Sequence, residues 1–354
     1  MEYDVIISGA GPAGSTVGYE LARRGHSVLI LEKETLPRDK LCAGGIPRRI
    51  LKLIDLQDGQ MVEDRIHKVE FTFRQKERFV LESSRPLLYT VRRRNFDHML
   101  VQRALAAGCQ VRDGEPVNGL KQEKTEVSVH TPRGQFQARI LVGADGVSGA
   151  VARLGHFRIR RYFISTLQSE VDMTPETINR YRGRVWIGFG LVRNGYAWIF
   201  PKKDHLTVGM GATLGRGRAK VFRNAFQLLL QTLFPRYRGT PVASFPISLG
   251  GVKQNLVQGR VLLVGEAASL VNPLTAEGIY YAMRSAQFAA EAADGFLNNR
   301  TPHLGSYQRL VDENMGSFFR KSRIFSGLFY GLPSVSFRMF IKDNKRLIRY
   351  FGKD

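Results

Sequence analysis

Residues 4–32 read DVIISGAGPAGSTVGYELARRGHSVLILE, two apolar runs separated by a glycine-rich turn and a segment of helix-compatible residues. We expect residues 5–7 to form a buried strand, residues 16–24 to lie in a helix that stops at Gly25, and residues 27–31 to form a second strand. The turn has the spacing G-x-G-x-x-G, and the second strand ends in an acid. This order of elements predicts a dinucleotide-binding βαβ unit of the Rossmann type.

Each glycine of the turn has a separate predicted role. Gly9 permits the tight turn, Gly11 lets a pyrophosphate approach the backbone, and Gly14 lets the helix pack close to the strand. The phosphates are expected at the helix N-terminus, where amide groups and the helix dipole favour negative charge. Glu32 is expected to accept hydrogen bonds from an adenosine ribose and to disfavour a 2′-phosphate. The predicted cofactor contacts here are Gly9, Gly11, Pro12, Ala13, Gly14, Glu32 and Lys33.

The composition argues against a disulfide-rich, zinc-binding or membrane-spanning protein. A chain of 354 residues is long enough for two domains. It has two cysteines, Cys42 and Cys109, so it cannot form a disulfide framework or a four-cysteine zinc site, and we predict no metal site. No apolar run approaches the roughly 20 residues that span a bilayer. We expect a cytoplasmic protein, with peripheral contact at the inner face of the membrane as one option.

The charge is strongly basic. Lys and Arg total 53 against 31 Asp and Glu, which gives a net charge of +22 and a pI near 10.3. Nucleic acid, an anionic membrane surface or phosphorylated substrates would each attract such a surface, and plain solubility is the alternative. The sequence contains no recognisable nucleic-acid module. We therefore expect no nucleic-acid partner.

The pattern of a strand followed by glycine returns twice along the chain, at 140–146 and 261–266, with mainly strand-like sequence between. We assign residues 1–65, 92–158 and 255–300 to a discontinuous nucleotide-binding domain. Residues 66–91 and 159–254 are assigned to a mixed-sheet substrate domain. The remainder, 301–354, is rich in phenylalanine up to Phe340 and in Lys and Arg. It is expected to be helical and either to cap the substrate domain or to lie at a membrane interface.

With these repeated strand-glycine segments, the chain resembles the flavoprotein superfamily that includes the aromatic hydroxylases. The cofactor of that superfamily is FAD. The resemblance rests on the G-x-G-x-x-G turn, the A-D-G segment at 144–146 and the strand-glycine-acid segment near residue 265. A closer likeness is to geranylgeranyl reductases, and KLCAGG at 40–45, YAWIFP at 196–201 and VNPLTAEGI at 271–279 carry it. It implies an α/β fold in which a Rossmann-type FAD-binding domain is interleaved with a mixed-sheet substrate domain and followed by a helical C-terminal region.

The resemblance also implies further cofactor contacts. Arg93 would contact the linking chain of the flavin, Asp145 the pyrophosphate side, and Glu266 a ribityl hydroxyl. Glu266 departs from the family, which has aspartate at this position. The predicted contacts by this route are Cys42, Ala43, Gly44 and Gly45 at the isoalloxazine, Pro273, Gly278 and Ile279 at its pyrimidine end, and Arg93, Asp145, Gly146, Gly265 and Glu266.

Saturating an isolated alkene requires a hydride, a proton and a dry slot. Tyr196, Trp198 and Phe200 alternate along one predicted strand and share one face, either as the wall of that slot or as ordinary core. Cys42 is the candidate proton donor or redox partner, and a small packed thiol is the alternative. The predicted catalytic residues are Cys42, Tyr196, Trp198 and Phe200.

The leading hypothesis is an FAD-dependent reductase that saturates C=C bonds of a geranylgeranyl or polyprenyl chain in an isoprenoid lipid, quinone or chlorophyll precursor. A monooxygenase of the aromatic-hydroxylase type and a non-catalytic flavin-binding redox sensor are the alternatives. Because the single dinucleotide fingerprint is assigned to FAD, the electron donor is either NADPH at a transient site or a ferredoxin. A ferredoxin, usually acidic, would suit the basic surface.

Overall fold

The computed structural model describes residues 2–56, 61–235 and 238–339. The predictions for residues 57–60 and 340–354, Phe340 among them, lie outside these ranges. The strands are β1 (Tyr3–Ser8), β2 (Val28–Leu31), β3 (Gly45–Pro47), β4 (Val62–Ile66), β5 (Lys68–Phe73), β6 (Glu77–Glu82), β7 (Leu88–Val91), β8 (Gln110–Arg112), β9 (Gly119–Gln122), β10 (Val127–Thr131), β11 (Gly134–Gly143), β12 (Tyr162–Asp172), β13 (Arg184–Phe189), β14 (Gly195–Pro201), β15 (His205–Ala212), β16 (Arg238–Gly239), β17 (Ala243–Leu249), β18 (Val257–Gln258) and β19 (Val261–Leu263). The α-helices are α1 (Pro12–Ala22), α2 (Arg93–Ala106), α3 (Val151–Leu154), α4 (Pro175–Tyr181), α5 (Ala219–Leu233), α6 (Ile279–Leu297), α7 (Gly305–Val311), α8 (Ser317–Gly331) and α9 (Pro333–Phe337).

The chain divides into two compact units, each assembled from three segments. The nucleotide unit comprises Met1–Arg38, Arg94–Tyr162 and Ser248–Arg323, and the sheet unit comprises Asp39–Arg93, Phe163–Ile247 and Ile324–Asp354. Residues 39–65, which the sequence analysis assigns to the nucleotide-binding domain, lie in the sheet unit. The physical reason is that β3 and β4 both pair with β7, and β5 of the same segment pairs with β13 of the larger sheet.

The sheet of the nucleotide unit runs in the order β18-β19-β11-β1-β2-β8, and every neighbouring pair except β18 with β19 is parallel. Ser8 at the end of β1 pairs with Gly143 of β11 and with Leu31 of β2, and Gly143 pairs with Leu263 of β19. The carboxyl ends of these four strands therefore meet at one edge. Ligands of open α/β sheets bind at this edge.

The central strands are continuous apolar runs because both faces of this sheet are covered. Val5, Ile6 and Ile7 are fully buried. On one side, α1 packs against α6. The hydroxyl of Tyr307 in α7 donates to the carbonyl oxygen of Leu263 at 2.6 Å, which joins α7 to β19.

The larger sheet of the second unit runs in the order β16-β12-β15-β14-β13-β5-β6, and β17 pairs with β12. One face is covered by α5, whose Phe226 packs in a core with Ala197 and Ile199 of β14. Because side chains alternate along a strand, Tyr196, Trp198 and Phe200 point to the opposite face. The predicted strand and its aromatic face are both present in the structure.

The C-terminal segment is helical through α9, with a π-helical turn at Asp312–Gly316 between α7 and α8. In the sheet unit, Phe329 and Phe337 are buried with Phe73, and the half-buried Phe189 packs against them. Across the described ranges, no helix is both long and apolar enough to cross a membrane.

Candidate functional site

The glycine turn joins the end of β1 to the start of α1 and has the tightness that the sequence predicts. Gly9 has a φ of +103°, and a Cβ there would lie 2.6 Å from the carbonyl oxygen of Ala144. A Cβ on Gly14 would overlap the carbonyl oxygen of Gly9. Both positions therefore require glycine, one for its backbone angle and the other for space.

The start of α1 is open to an anion. Gly11 is the cap residue, Pro12 occupies the first turn, and neither a side-chain cap nor a first-turn acid is present. The first amide groups of a helix have no intrahelical acceptor, and the helix dipole places partial positive charge there. The turn can therefore bind a phosphate through its backbone.

Glu32 lies directly beneath this turn and is 3% exposed. One carboxylate oxygen accepts from the amide of Ala10 at 2.8 Å, and the other accepts from the amide of Glu34 at 3.1 Å. The guanidinium of Arg38 approaches the first of these oxygens at 3.3 Å. Three partners leave acceptor capacity on a carboxylate, which has about four lone-pair positions, so a ribose hydroxyl can still bind.

Arg38 is a residue that the sequence analysis did not single out. Its guanidinium bridges two buried carboxylates, reaching Glu32 at 3.3 Å and Asp97 of α2 at 3.1 Å. A terminal nitrogen lies 3.4 Å from the position of a Cβ on Gly11. The guanidinium therefore offers donors where a pyrophosphate would meet the turn. The sequence signal was an arginine in the loop that follows the Glu32 strand.

Asp145 and Gly146 follow β11. One Asp145 oxygen accepts from the amide of Val151 at 2.9 Å, and the other has no hydrogen-bond partner among the described residues. Burial raises the pKa of Asp145, while the amide of Val151 and the charge of Arg161 oppose the increase. A buried carboxylate oxygen that has no partner in the protein is available for a hydrogen bond with a ligand.

Gly265 and Glu266 follow β19 and meet these residues. A Cβ on Gly146 would lie 4.0 Å from a Glu266 carboxylate oxygen, and the other oxygen of Glu266 is 3.4 Å from the amide of Ser248. Gly265 has a φ of +57°, and a Cβ there would lie 3.1 Å from the Cβ of Ala13. The structure thus brings the three glycine segments of the nucleotide unit together.

The loop before α6 is fixed from within by Asn272, which is fully buried. Its side-chain oxygen accepts from the amide of Leu274 at 2.8 Å. Pro273 is buried in this loop, and α6 begins at Ile279 with Gly278 as cap residue and no side-chain cap. The predicted contacts Pro273, Gly278 and Ile279 therefore surround a second helix N-terminus with favourable polarity for an anion.

Lys33 and Arg93 are the two predicted contacts that remain. Lys33 is exposed and forms a solvent-facing ion pair with Glu34 at 3.6 Å. Arg93 is half-buried at the first residue of α2 and belongs to the sheet unit.

In the sheet unit, the loop with Cys42 is held by its own backbone and by one lysine. The amide of Gly44 donates to the Cys42 sulfur at 3.3 Å, and the Lys202 ammonium donates to the carbonyl oxygen of Ala43 at 2.7 Å. Gly44 has a φ of +71°. A Cβ on Gly45 would lie 2.5 Å from the Phe200 ring. Both positions therefore require glycine, Gly44 for its backbone angle and Gly45 for space.

Lys202 was also missed by the sequence analysis. It is 3% exposed, and burial lowers its pKa to about 8, although the charges of Glu170, Cys42 and Glu63 oppose this decrease. A buried lysine with a lowered pKa near a cysteine is a marker of functional sites. No sequence pattern predicts this burial, because a lysine after F-P is typical of the exposed start of a hairpin turn.

Two rings of the aromatic face of β14 contact each other. The rings of Tyr196 and Trp198 have centroids 5.8 Å apart, and Trp198 is 7% exposed. Gly209 of β15 pairs with Trp198, and a Cβ there would overlap the indole, so the ring lies flat on the neighbouring strand. The indole N–H is buried without an acceptor among the described residues. This face of the strand therefore holds one donor without a partner there, and its role as a substrate wall stays a prediction.

The nucleotide unit fits the ADP half of FAD. The turn has room for a pyrophosphate at Gly11 and donors at the start of α1 and on Arg38, and Glu32 retains acceptor capacity for a ribose. The family described as FAD binding domain matches residues 2–293. The chain is 30% identical over 314 residues to digeranylgeranylglycerophospholipid reductase 1 from Methanopyrus kandleri, covering 83% of this chain and 80% of that protein. The chain belongs to the geranylgeranyl reductase family of FAD-dependent oxidoreductases.

Other members of this reductase family match at similar levels. Geranylgeranyl diphosphate reductase from Rhodobacter capsulatus is 28% identical over 315 residues, covering 85% of this chain and 78% of that protein. A crystal structure of a geranylgeranyl bacteriochlorophyll reductase-like protein from Thermoplasma acidophilum superposes with a TM-score of 0.85 at 22% identity, covering 94% of this chain and 89% of that chain. These matches confirm the predicted family and fold class.

Proposed function

We propose that this flavoprotein saturates C=C bonds of a geranylgeranyl or longer polyprenyl chain. The observation that carries the proposal is the aromatic face of β14, formed by Tyr196, Trp198 and Phe200 on the side of the sheet opposite to α5. Relatives named as geranylgeranyl diphosphate and digeranylgeranylglycerophospholipid reductases support this substrate class.

An isoprenoid chain is an apolar ligand with no polar group near its inner double bonds. Such a ligand gains affinity from buried apolar area, at about 25 cal/mol per Å², and from aromatic walls that keep water away. Tyr196 and Phe200 are half-buried, and Phe200 also packs against the apolar cluster that includes Phe329 and Phe337. The wall therefore suits an alkene better than a charged or strongly polar substrate.

The reaction requires a hydride and a proton on neighbouring carbons. Reduced FAD supplies the hydride. We assign the proton to Cys42, which is half-buried and whose loop is anchored by Lys202 at the carbonyl oxygen of Ala43. Loss of the proton leaves the sulfur as a thiolate, which the ammonium of Lys202 stabilises.

The substrate would reach the protein from a lipid phase. Ile324, Leu328 and Leu332 recur every four residues along α8 and the loop after it, and each is 65–66% exposed. The net charge of +22 favours an anionic surface. We infer peripheral contact of this row with an anionic membrane, and Leu328→Glu should reduce sedimentation with anionic vesicles.

The reductase and its alternatives differ in their use of oxygen. Substrate-dependent oxygen consumption with a hydroxylated product would identify a monooxygenase, whereas reduction of the alkene under nitrogen would identify the reductase. A bound flavin that turns over with neither would favour a redox sensor.

The wall itself is tested by paired tryptophan variants. Trp198→Leu should raise KM for a geranylgeranyl lipid at least tenfold, because it removes the central ring of the wall. Trp186→Leu is the matched control, since Trp186 lies on the neighbouring strand β13 and packs toward the α5 side of the same sheet. Equal effects of the two substitutions would contradict the assignment of the wall to the substrate.

The electron donor is either NADPH or a ferredoxin. Rates of association between oppositely charged proteins fall steeply with ionic strength. If an acidic ferredoxin is the donor, the rate of flavin reduction should drop at least tenfold between low and high salt. A salt-insensitive rate that saturates with NADPH would assign the role to the nucleotide.

A further inference from the structure

A chain of charged groups extends from the loop of Cys42 to the surface of the sheet unit. Lys202 contacts the carbonyl oxygen of Ala43 in that loop at 2.7 Å, and a Cβ on Gly44 would lie 3.4 Å from its ammonium. The backbone of Lys202 is fixed by a hydrogen bond from its amide to the carbonyl oxygen of His205 at 2.8 Å. The ammonium is therefore held against the three-residue turn that presents the thiol.

Glu170 of β12 is the charge that most favours the ammonium of Lys202. Its carboxylate accepts from the hydroxyl of Thr207 at 2.6 Å and from the side-chain amide of Gln168 at 2.9 Å, and His205 lies 3.0 Å away. Burial opposes the charge of Glu170, but the bonds from His205 and Thr207 lower its pKa. Glu170 is thus an anion that stabilises the ammonium of Lys202.

His205 and Asp204 connect Glu170 to solvent. The second ring nitrogen of His205 lies 2.6 Å from a carboxylate oxygen of Asp204, whose side chain is 65% exposed. Burial disfavours the charged ring, but hydrogen bonds to Glu170 and Asp204 outweigh this effect and raise the pKa of His205. A histidine between two carboxylates, one of them in solvent, can take up and release a proton near neutral pH.

The other charges around Lys202 come from two further elements. Glu63 of β4 favours its protonated form, and Arg92 opposes it. Arg92 pairs with Glu63 at 3.1 Å and also with Asp204, so its charge is largely compensated. The remaining charges favour the ammonium, so burial is what lowers the pKa of Lys202 and lets it release its proton to a nearby base.

We propose that Lys202 returns a proton to Cys42 after each turnover, and that His205 and Glu170 resupply Lys202 from solvent. The inference rests on the proposed reductase function, with Cys42 as the proton donor to the alkene. When Cys42 has given its proton to carbon, the electron pair of the S–H bond stays on sulfur. One N–H bond of Lys202 then breaks, the proton passes to the sulfur, and the amine becomes neutral until a proton from solvent restores it. Lys202 acts through Cys42 and is therefore a positioning residue.

Two substitutions separate the charge of Lys202 from its ability to release a proton. Lys202→Met removes both, whereas Lys202→Arg keeps a charge that is not released at ordinary pH. We expect alkylation of Cys42 by iodoacetamide at pH 8 to slow about tenfold in the Met variant and to stay near the wild-type rate in the Arg variant, because the thiolate is the reacting form and a nearby cation attracts it. We expect kcat to fall at least tenfold in both variants.

Cys109 reports on folding in the same samples. It is 5% exposed, and burial raises its pKa to about 12, so only an unfolded variant should be alkylated there. In wild-type protein kcat should fall as the pH rises through about 8, where Lys202 loses its proton. Glu170→Gln should move that fall to lower pH, since Glu170 raises the pKa of Lys202.

The outcomes distinguish the two proposals. Alkylation of Cys42 requires no turnover, so its rate tests the influence of Lys202 on the thiol even if the substrate is wrong. Wild-type protein that reduces no alkene would refute the proposed function. Wild-type protein that reduces the alkene while Lys202→Met keeps both its kcat and its alkylation rate would overturn the relay alone. A Lys202→Arg variant with wild-type kcat would also overturn it, because charge without proton transfer would then suffice.

Discussion

Replacing Lys202 with methionine should stabilise the sheet unit at neutral pH. The ammonium is 3% exposed, and burial lowers its pKa from 10.5 to about 8. A decrease of about 2.5 pKa units corresponds to roughly 3 kcal/mol by which folding disfavours the charged form. Methionine avoids that cost but loses the hydrogen bond to the carbonyl oxygen of Ala43, worth about 1 kcal/mol. We expect a net gain of about 2 kcal/mol in the free energy of unfolding.

The gain should depend on pH in a defined direction. Because the pKa of Lys202 is lower in the folded state, the unfolded state binds more protons between about pH 8 and 10.5. The stability of the wild type therefore rises with pH across this window, whereas the contribution of position 202 in the variant does not change. The advantage of the variant is full below about pH 8 and disappears by about pH 10.5.

Urea unfolding followed by tryptophan fluorescence is the appropriate assay, because both tryptophans of the chain, Trp186 and Trp198, lie in the sheet unit. Wild type and Lys202→Met are compared from pH 6.5 to 10.5, with the exposed Lys220→Met as the matched control. A variant less stable than wild type at neutral pH would refute the reasoning. A stability difference that does not change with pH would refute it as well.

Three further substitutions or reactions test the nucleotide unit and the cysteines. Gly14→Ala should yield protein without bound flavin, because the new methyl group overlaps the carbonyl oxygen of Gly9; flavin absorbance per protein measures this. Arg38→Met should lower the free energy of unfolding by about 3–5 kcal/mol, because it removes the cation shared by two buried carboxylates. The same variant should bind FAD at least tenfold more weakly in a titration of apoprotein. Native protein should take up one equivalent of iodoacetamide at pH 8, at Cys42, because burial raises the pKa of Cys109 to about 12; peptide mass spectrometry locates the label.

Each of these predictions has a control. Gly215→Ala adds a methyl group where no atom lies within 4 Å, so it should keep its flavin. Arg38→Lys keeps the charge without the bridging geometry and should fall between wild type and Arg38→Met. Urea-unfolded protein should take up two equivalents of iodoacetamide. Full flavin content in Gly14→Ala, unchanged FAD affinity in Arg38→Met or labelling of native Cys109 would each contradict the structure.

The first βαβ unit could be predicted because its signals are local. The buried strand at 5–7, the glycine turn and the acid at 32 lie within 29 consecutive residues, and each has a direct physical reason. The predicted return of the chain at 140–146 and 261–266 was also local, since each segment is an apolar strand ending in glycine. The parallel pairs of β1 with β11 and of β11 with β19 follow from these runs.

The features that could not be predicted from the sequence depend on contacts between distant segments. Residues 39–65 join the sheet unit because β3 and β4 pair with β7, and no short-range pattern encodes those partners. Lys202 is buried by the surrounding sheet and retains its charge through Glu170, 32 residues earlier in the numbering. Arg38 is significant because it lies between Glu32 and Asp97. A charged residue in a loop gives no sign of such partners until the fold brings them together.

The most direct test of the central claim is a single turnover without oxygen. Protein carrying chemically reduced FAD is mixed under nitrogen with a geranylgeranyl lipid, and flavin absorbance and product mass are followed together. We predict reoxidation of the flavin at a rate that depends on lipid concentration, with a product heavier by two hydrogens for each flavin reoxidised. A flavin that stays reduced until air is admitted, with the lipid recovered unchanged, would contradict the assignment as a polyprenyl reductase.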